Sequence, residues 1–313
     1  MITKSAQNQS NCTSELYFTF NARTAWGLII RSLSIDKSVR VLLPAYIGYT
    51  TREGSGVFDP VANKACDYIF YRVGQKLEID ISHFENILNT EKIDVALVIH
   101  YFGFCRNDMN FIRELCDKHN VILVEDCAHA FNLGLKNQTI GNYGDFSFYS
   151  VHKYLATSAG GILKVNKNKF IIGKLDSSEK ATQDVLEQYI KTDFERVLKV
   201  RRENYRSYEL LLPKHGDIEV MFESLENVDI PQSYPVRIKK GKREPLYFYL
   251  MNNDIPTIAL YYQLIKEINV EAFPLSYQIS SEILNLPVHQ DITINDIKLT
   301  CCKISNFIDE NKS

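Results

Sequence analysis

The chain has 313 residues, of which 45% are hydrophobic and 24% are charged, and its formal net charge is −2. Its length predicts roughly two structural units, and its composition is typical of a globular protein with a normal apolar core. A nearly neutral chain gives no global electrostatic reason to bind nucleic acid or an anionic membrane surface. Its apolar runs are shorter than the ~18 residues of a membrane span, so we expect no membrane insertion.

The chain contains seven cysteines, which are scattered and form no Cys-x-x-Cys motif. The start of the chain lacks the apolar segment of a secretory signal. Reduced thiols in a cytoplasmic protein are the simplest explanation of both observations. We therefore expect a cytoplasmic location.

Apolar runs alternate with helical patterns between residues 18 and 165. The patterns predict, in chain order, a helix over 24–33, strands over 39–43 and 68–71, a helix over 81–88, a strand over 95–100, a helix over 110–119 and a strand over 121–124. The last two strands are almost wholly apolar, as expected of strands that are covered on both faces. This alternation predicts an α/β fold with a mostly parallel central sheet and helices on both faces.

The pattern changes near residue 171. A charged helical stretch to residue 212 is followed by strand-like pieces at 218–222 and 233–238, a helix over 244–252 and a final helix whose start, Thr293 to Asp296, approximates a capping box. The basic run Arg237 to Arg243 predicts a solvated turn between two strands, with phosphate binding as the alternative. We predict a large α/β domain over residues 1–170, and a linker helix with a smaller α+β domain over residues 171–313.

Polar residues follow the two apolar strands at the points where the strands end. His100 follows the first strand, and Glu125 and Asp126 follow the second. Ligands gather beyond the carboxyl ends of the strands in parallel sheets, so we expect these side chains near a ligand. Ser150 and Lys153 come next, in the segment GDFSFYSVHKYLATSAGGIL.

These residue types suit pyridoxal phosphate (PLP). A lysine such as Lys153 can hold the aldehyde of PLP as a Schiff base that an incoming amine displaces. A buried carboxylate such as Asp126 can keep the ring nitrogen protonated. Ser150 and the turn at residues 21–24, which opens the first helix, can offer a hydroxyl and N–H groups to the phosphate. Each residue alone also has an ordinary structural explanation, so the prediction depends on their combination.

In these segments the chain resembles the DegT/DnrJ/EryC1/StrS family, the sugar-aminotransferase branch of fold-type I PLP-dependent enzymes. The similarity runs from about residue 18 to 310, and the segments that carry it are PAYIGYTT, HYFGFCRNDMNFIRELCDKHNVILVEDCAHAF, GDFSFYSVHKYLATSAGGIL and LNLPVHQDIT. It implies the PLP-dependent transferase fold of type I and a homodimer. It also implies an aminotransferase that moves an amino group from glutamate or glutamine to a keto-sugar, with a nucleotide-linked sugar as the expected acceptor.

The resemblance assigns site roles by position and implies no metal site. Lys153 would be the Schiff-base lysine, and Asp126 would pair with the pyridine nitrogen. His129 stands where the family has Gln or His against the phenolic oxygen of the cofactor. The phosphate would be held by Ser150, Ala22, Arg23 and Thr24.

The resemblance also implies an aromatic side chain against the cofactor ring, near Pro44. Tyr46 and Tyr49 are the candidates, and Gly48 stands close to the expected position.

Two departures from the family pattern leave alternatives open. The spacing from Asp145 to Lys153 is shorter than in the family. The long segment after the glycine pair, with a GxNxRM-like stretch that reaches the cofactor of the partner subunit, is not visible in this chain.

One alternative is a different PLP-dependent reaction, such as that of a sugar dehydratase. The dehydratase branch of the family has histidine in place of the lysine. Here His152 precedes a retained Lys153, which favours transamination. The other alternative is a catalytically altered member that acts as a binding protein, and the shortened segment is its only support.

Overall fold

The computed structural model describes residues 15–34, 38–64, 66–133, 135, 139–167 and 170–311. A seven-stranded sheet lies at its centre. The strands of this sheet are β1 (Glu15–Thr19), β2 (Arg40–Pro44), β3 (Asp67–Tyr71), β4 (Val95–Ile99), β5 (Ile122–Cys127), β6 (Phe146–Ser150) and β7 (Gly161–Val165).

The strands are arranged in the order β1-β7-β6-β5-β4-β2-β3. β2 to β6 run parallel to one another, and β7 is antiparallel to both β6 and β1. Every residue of β4 and of β6 is buried, which means that both faces of the sheet are covered. The predicted α/β class with a mostly parallel sheet is confirmed.

Helices follow the strands, and several begin at the polar residues that the sequence offers as caps. The helices are α1 (Ala22–Leu33), α2 (Asp59–Ala62), α3 (Ile81–Thr90), α4 (Met109–Lys118), α5 (Gln183–Lys191), α6 (Phe194–Leu211), α7 (Arg243–Met251), α8 (Pro274–Glu282) and α9 (Ile294–Glu310). Asn21, Asp80 and Asp108 cap α1, α3 and α4 by accepting an N–H three residues further on. The capping box of Thr293 and Asp296 at the start of α9 is present. None of the helices described is long and apolar enough to cross a membrane.

A second, smaller sheet is formed by β8 (Ile218–Val220), β9 (Ser233–Ile238) and β10 (Ile283–Pro287), with antiparallel order β10-β9-β8. α6 and α9 pack against each other, and α7 contacts both α9 and β10. The first sheet uses residues up to 165 and the second begins at 218, so the strands fall on opposite sides of the predicted boundary at 170. The boundary itself remains a prediction.

Two details of the sequence prediction are wrong. The helical stretch predicted from residue 171 begins, among the residues described, with one 3-10 turn at Ser177–Glu179, and it is interrupted before α6. Asp193 causes the interruption because its side chain accepts the N–H of Arg196 and starts a new helix. The basic run around Gly241 joins β9 to α7 rather than two strands, and Gly241 turns there with a φ of +69°.

α5 follows β7 in the chain and packs on residues of its own chain. Val185 lies against Gly160, and the ring of Tyr189 contacts the rings of Phe18 and Phe131.

Candidate functional site

A cavity of about 580 Å³ opens at the carboxyl ends of β5 and β6, beside the N-terminus of α1. Its size is typical of small-molecule sites. Most of the side chains predicted to bind a cofactor line this cavity: Ala22, Arg23, Asp126, His129, Ser150 and Lys153.

Asp126 is the acidic residue of the cavity. It is the penultimate residue of β5, and only 3% of it is exposed. Burial raises the pKa of its carboxyl to about 6, against the opposing effects of a hydrogen bond from the Ala128 N–H and the charges of Lys153 and His100. Above pH 6 the cavity therefore holds a buried carboxylate, which favours a cationic partner.

Glu125 and His100 do not line the cavity, so the expectation that they lie near a ligand is wrong. Successive side chains of a strand point to opposite faces, and Glu125 therefore points away from Asp126. Its carboxylate lies 2.9 Å from His100 Nε2 and accepts backbone N–H groups from Gly141 and Gly144. Both side chains are completely buried and tie the loop before β6 to the sheet.

His129 is held in one orientation and one protonation state. Its Nδ1 accepts the backbone N–H of Phe102 at 3.2 Å. Burial, reinforced by the charge of Lys153, lowers the pKa of the ring well below its ordinary value. The ring is therefore neutral at physiological pH, and since Nδ1 is an acceptor, the proton sits on Nε2. His129 thus presents a neutral N–H donor.

Lys153 follows β6 and lines both this cavity and a second one of about 290 Å³. Burial lowers the pKa of its amine to about 8, while the charges of Asp126 and Glu53 oppose that change. A larger fraction of this amine than of an exposed lysine is therefore unprotonated, and nucleophilic, near neutral pH. The backbone carbonyl of Lys153 accepts a hydrogen bond from buried Arg201 at 2.9 Å, which fixes the loop.

The N-terminus of α1 borders the cavity at the end that holds Ser150. Asn21 caps the helix, and its Oδ1 accepts the N–H of Thr24 at 2.8 Å. The N–H of Thr24 is therefore engaged within the cap, and Thr24 does not line the cavity. Ala22 and Arg23 remain at the cavity.

Gly161, the first residue of β7, allows this end of the cavity to form. A Cβ at residue 161 would lie 2.2 Å from the carbonyl carbon of Asn21 and 2.5 Å from the nitrogen of Ala22. Only glycine lets β7 begin directly beneath the first peptide of α1.

Neither aromatic candidate reaches the cavity. Tyr46 is fully buried and packs against Tyr101 and Tyr261, so it belongs to the core. Tyr49 is 36% exposed, and its N–H donates to the carbonyl of Gln263. Tyr261 lines the cavity, whereas Tyr46 and Tyr49 do not. The sequence around Tyr261 carries no motif, and the glycine at residue 48 was the only indication that an aromatic comes from elsewhere.

The fold is that of aminotransferases of known structure. The aminotransferase TlmJ from Streptoalloteichus hindustanus matches with a TM-score of 0.78 over 95% of this chain and 87% of that chain, at 19% identity. The chain therefore has the PLP-dependent transferase fold of type I.

Sequence comparison shows similarity to sugar aminotransferases. A model of the DegT/DnrJ/EryC1/StrS aminotransferase family matches residues 57–172. GDP-perosamine synthase from Vibrio cholerae is 26% identical, with coverage of 92% of this chain and 84% of its own. The dTDP-3-amino-3,6-dideoxy-alpha-D-galactopyranose transaminase from Aneurinibacillus thermoaerophilus is also 26% identical, over 86% of this chain and 78% of its own. By these comparisons the chain is similar to the DegT/DnrJ/EryC1/StrS aminotransferase family.

Proposed function

We propose that this chain binds PLP and transfers an amino group from glutamate or glutamine to a keto-sugar linked to a nucleotide. The observation that carries the proposal is the meeting of a lysine with a lowered pKa, a buried carboxylate and a neutral histidine on one cavity: Lys153, Asp126 and His129. The acceptor class is supported by the two relatives, whose names refer to GDP- and dTDP-linked amino sugars.

The residues of the cavity match the chemical groups of PLP one by one. Asp126 carries the negative charge that a protonated pyridine nitrogen needs, and the Nε2–H of His129 can donate to the phenolic oxygen. The N-terminus of α1, with Ser150 beside it, offers N–H and O–H donors to a phosphate. Lys153 offers an amine for the aldehyde. Bound PLP supplies that aldehyde, together with a ring that withdraws electrons from an attached carbon.

Lys153 has a second task once the amine of a substrate has displaced it. Its free Nζ would take the proton from the substrate Cα as a base and, as an acid, would deliver it to the former aldehyde carbon, two atoms further along. A pKa lowered to about 8 suits both steps, because neither protonation state is strongly disfavoured near neutral pH.

The retained lysine supports transamination over a sugar dehydratase. It also weighs against a role as a binding protein, because the predicted cofactor residues around the cavity are intact.

A cytoplasmic location and a homodimer are part of the proposal. Six cysteines that the structure describes are free thiols, which supports the location.

Single-turnover transfer tests the proposal. The PLP-loaded protein, mixed with ¹⁵N-glutamate, should release 2-oxoglutarate in an amount equal to the protein and lose its visible absorbance. Addition of a GDP- or dTDP-linked keto-sugar should then restore the absorbance and yield a ¹⁵N-labelled amino sugar. Release of sugar dehydration products without oxoglutarate would instead identify a dehydratase, and no reaction at all would favour the binding protein.

A further inference from the structure

Gly48 and Tyr261 compete for the same space beside the cavity. Gly48 lies four residues after the end of β2 and lines the cavity. A Cβ at residue 48 would lie 2.5 Å from Tyr261 Cδ1 and 3.1 Å from Cε1, which is closer than non-bonded carbon atoms approach. The ring of Tyr261 therefore fills the volume into which any side chain at residue 48 would project.

Tyr261 belongs to a segment that is fastened at both ends, residues 258–265, which we call the crossing segment. At its start, Ile258 exchanges two backbone hydrogen bonds with Asn285 of β10, at 3.2 and 2.8 Å. Near its end, the Gln263 carbonyl accepts the N–H of Tyr49 at 2.9 Å. The crossing segment thus connects the small sheet to the loop after β2, and these bonds hold the ring of Tyr261 in place.

The backbone of Tyr261 is strained. Its φ of +61° is in the left-handed region, which a bulky side chain rarely adopts. Its carbonyl is held by the hydroxyl of Ser280 at 2.6 Å. Strain of this kind persists only where the surroundings enforce it, and such residues concentrate at ligand sites.

The ring of Tyr261 stands next to the two residues proposed to hold the edges of the cofactor ring. It lies 5.9 Å from the ring of His129, at an angle of 65°. Burial and then the negative charge of Asp126 raise the pKa of its hydroxyl, so the phenol is neutral. The other aromatic residues at the cavity are Phe148, which is a residue of β6, and Phe20, which lies beside the N-terminus of α1.

We propose that Tyr261 is a cofactor-binding residue that supplies the aromatic wall against the PLP ring, a contact taken from the crossing segment instead of from residue 48. Flat π-systems pack favourably on aromatic side chains, and the pyridine ring of PLP is such a system. This inference rests on the proposed function, because it requires PLP in the cavity.

The test is a titration of the cofactor-free protein with PLP, followed by visible absorbance and visible circular dichroism. Tyr261→Leu should bind PLP about tenfold more weakly, which corresponds to a stacking contact of about 1.4 kcal/mol. It should also lose much of the visible circular dichroism, because the ring would no longer be held in one orientation. Tyr261→Phe retains the ring and should match the unmodified protein. Tyr262→Leu makes the same change one residue further along, outside the cavity lining, and should also match it.

A paired substitution protects the test against simple misfolding. Tyr261→Gly removes the ring and relaxes the positive φ, and it should bind PLP weakly. Adding Gly48→Phe to that variant places an aromatic ring in the vacated volume and should restore most of the affinity. Gly48→Phe alone should weaken binding, because its side chain collides with Tyr261.

The outcomes separate this inference from the proposed function. Unchanged PLP affinity and circular dichroism in Tyr261→Leu, or no recovery in the double variant, would overturn the role of Tyr261 while leaving PLP binding intact. If the unmodified protein develops no visible absorbance with PLP, the proposed function itself fails.

Discussion

Replacement of Asp126 by asparagine should stabilise the cofactor-free protein at pH 8 while weakening its hold on PLP. Burial raises the pKa of the carboxyl from 3.8 to about 6. Since one pKa unit is about 1.36 kcal/mol, the ionised carboxylate costs the folded state about 3 kcal/mol. Asparagine is nearly the same shape, and its Oδ1 can still accept the Ala128 N–H, but it carries no charge to desolvate.

The pH dependence follows from the sign of the shift. A carboxyl whose folded pKa is raised binds its proton more tightly in the folded state, so its stabilising effect is present below pH 3.8 and is lost as the pH rises through 6. Asp126→Asn should therefore raise the free energy of unfolding by about 3 kcal/mol at pH 8 and by about half of that at pH 5, and it should have no such effect in strong acid.

Urea unfolding of the cofactor-free proteins at pH 5 and pH 8 measures this difference. Asp145→Asn is the matched control, because the Asp145 carboxylate is also buried but contacts Arg113 at 2.9 Å and Lys167 at 2.9 Å. These partners and the Leu123 N–H lower its pKa despite its burial. The same chemical change should therefore destabilise the protein at residue 145. The reasoning would be refuted if Asp126→Asn stabilised the protein equally at both pH values, or if both Asp126→Asn and Asp145→Asn destabilised it.

The remaining predictions concern cofactor loading. The rate at which visible absorbance grows on adding PLP to the cofactor-free protein should rise with pH through about 8, as Lys153 loses its proton; a rate that is flat between pH 7 and 9 would contradict this. His129→Gln keeps a neutral donor and should load normally, whereas His129→Leu should bind PLP about tenfold more weakly, the equivalent of one lost hydrogen bond. Gly161→Ala should lower the free energy of unfolding by about 1–3 kcal/mol and weaken PLP binding, since its Cβ would collide with Asn21. Urea unfolding measures the first effect and PLP titration the second. An unchanged free energy of unfolding and an unchanged PLP affinity would show that β7 can shift to accommodate the Cβ.

The parts of the fold that sequence predicts are those with local causes. VALVI and VILV are buried on both faces, so their lack of alternation identified interior strands of a parallel sheet. The final helix was identified from the capping box at Thr293. β7 was not predicted as a strand. Glycine is required at its first residue, Gly161, only because the N-terminus of α1 lies against it, and the sequence does not reveal that contact.

In the candidate site, too, the residues with local causes could be predicted and those placed by distant contacts could not. Asp126 and Lys153 could be predicted because a strand end and a short loop place them, and both lie within one continuous segment. Glu125 was misjudged because the strand continues through it, and the alternation of side chains turns it to the other face. Tyr261 could not be predicted at all. Its position depends on contacts between the crossing segment and Gly48, more than two hundred residues away in sequence, which no local pattern encodes.

Covalent trapping tests the central claim most directly. The protein should be loaded with PLP, reduced with borohydride, digested and mapped by mass spectrometry. A pyridoxyl-phosphate adduct should appear on the peptide that contains Lys153, and no adduct should appear on that peptide in Lys153→Ala. An adduct distributed over surface lysines, or full visible absorbance in Lys153→Ala, would contradict the claim.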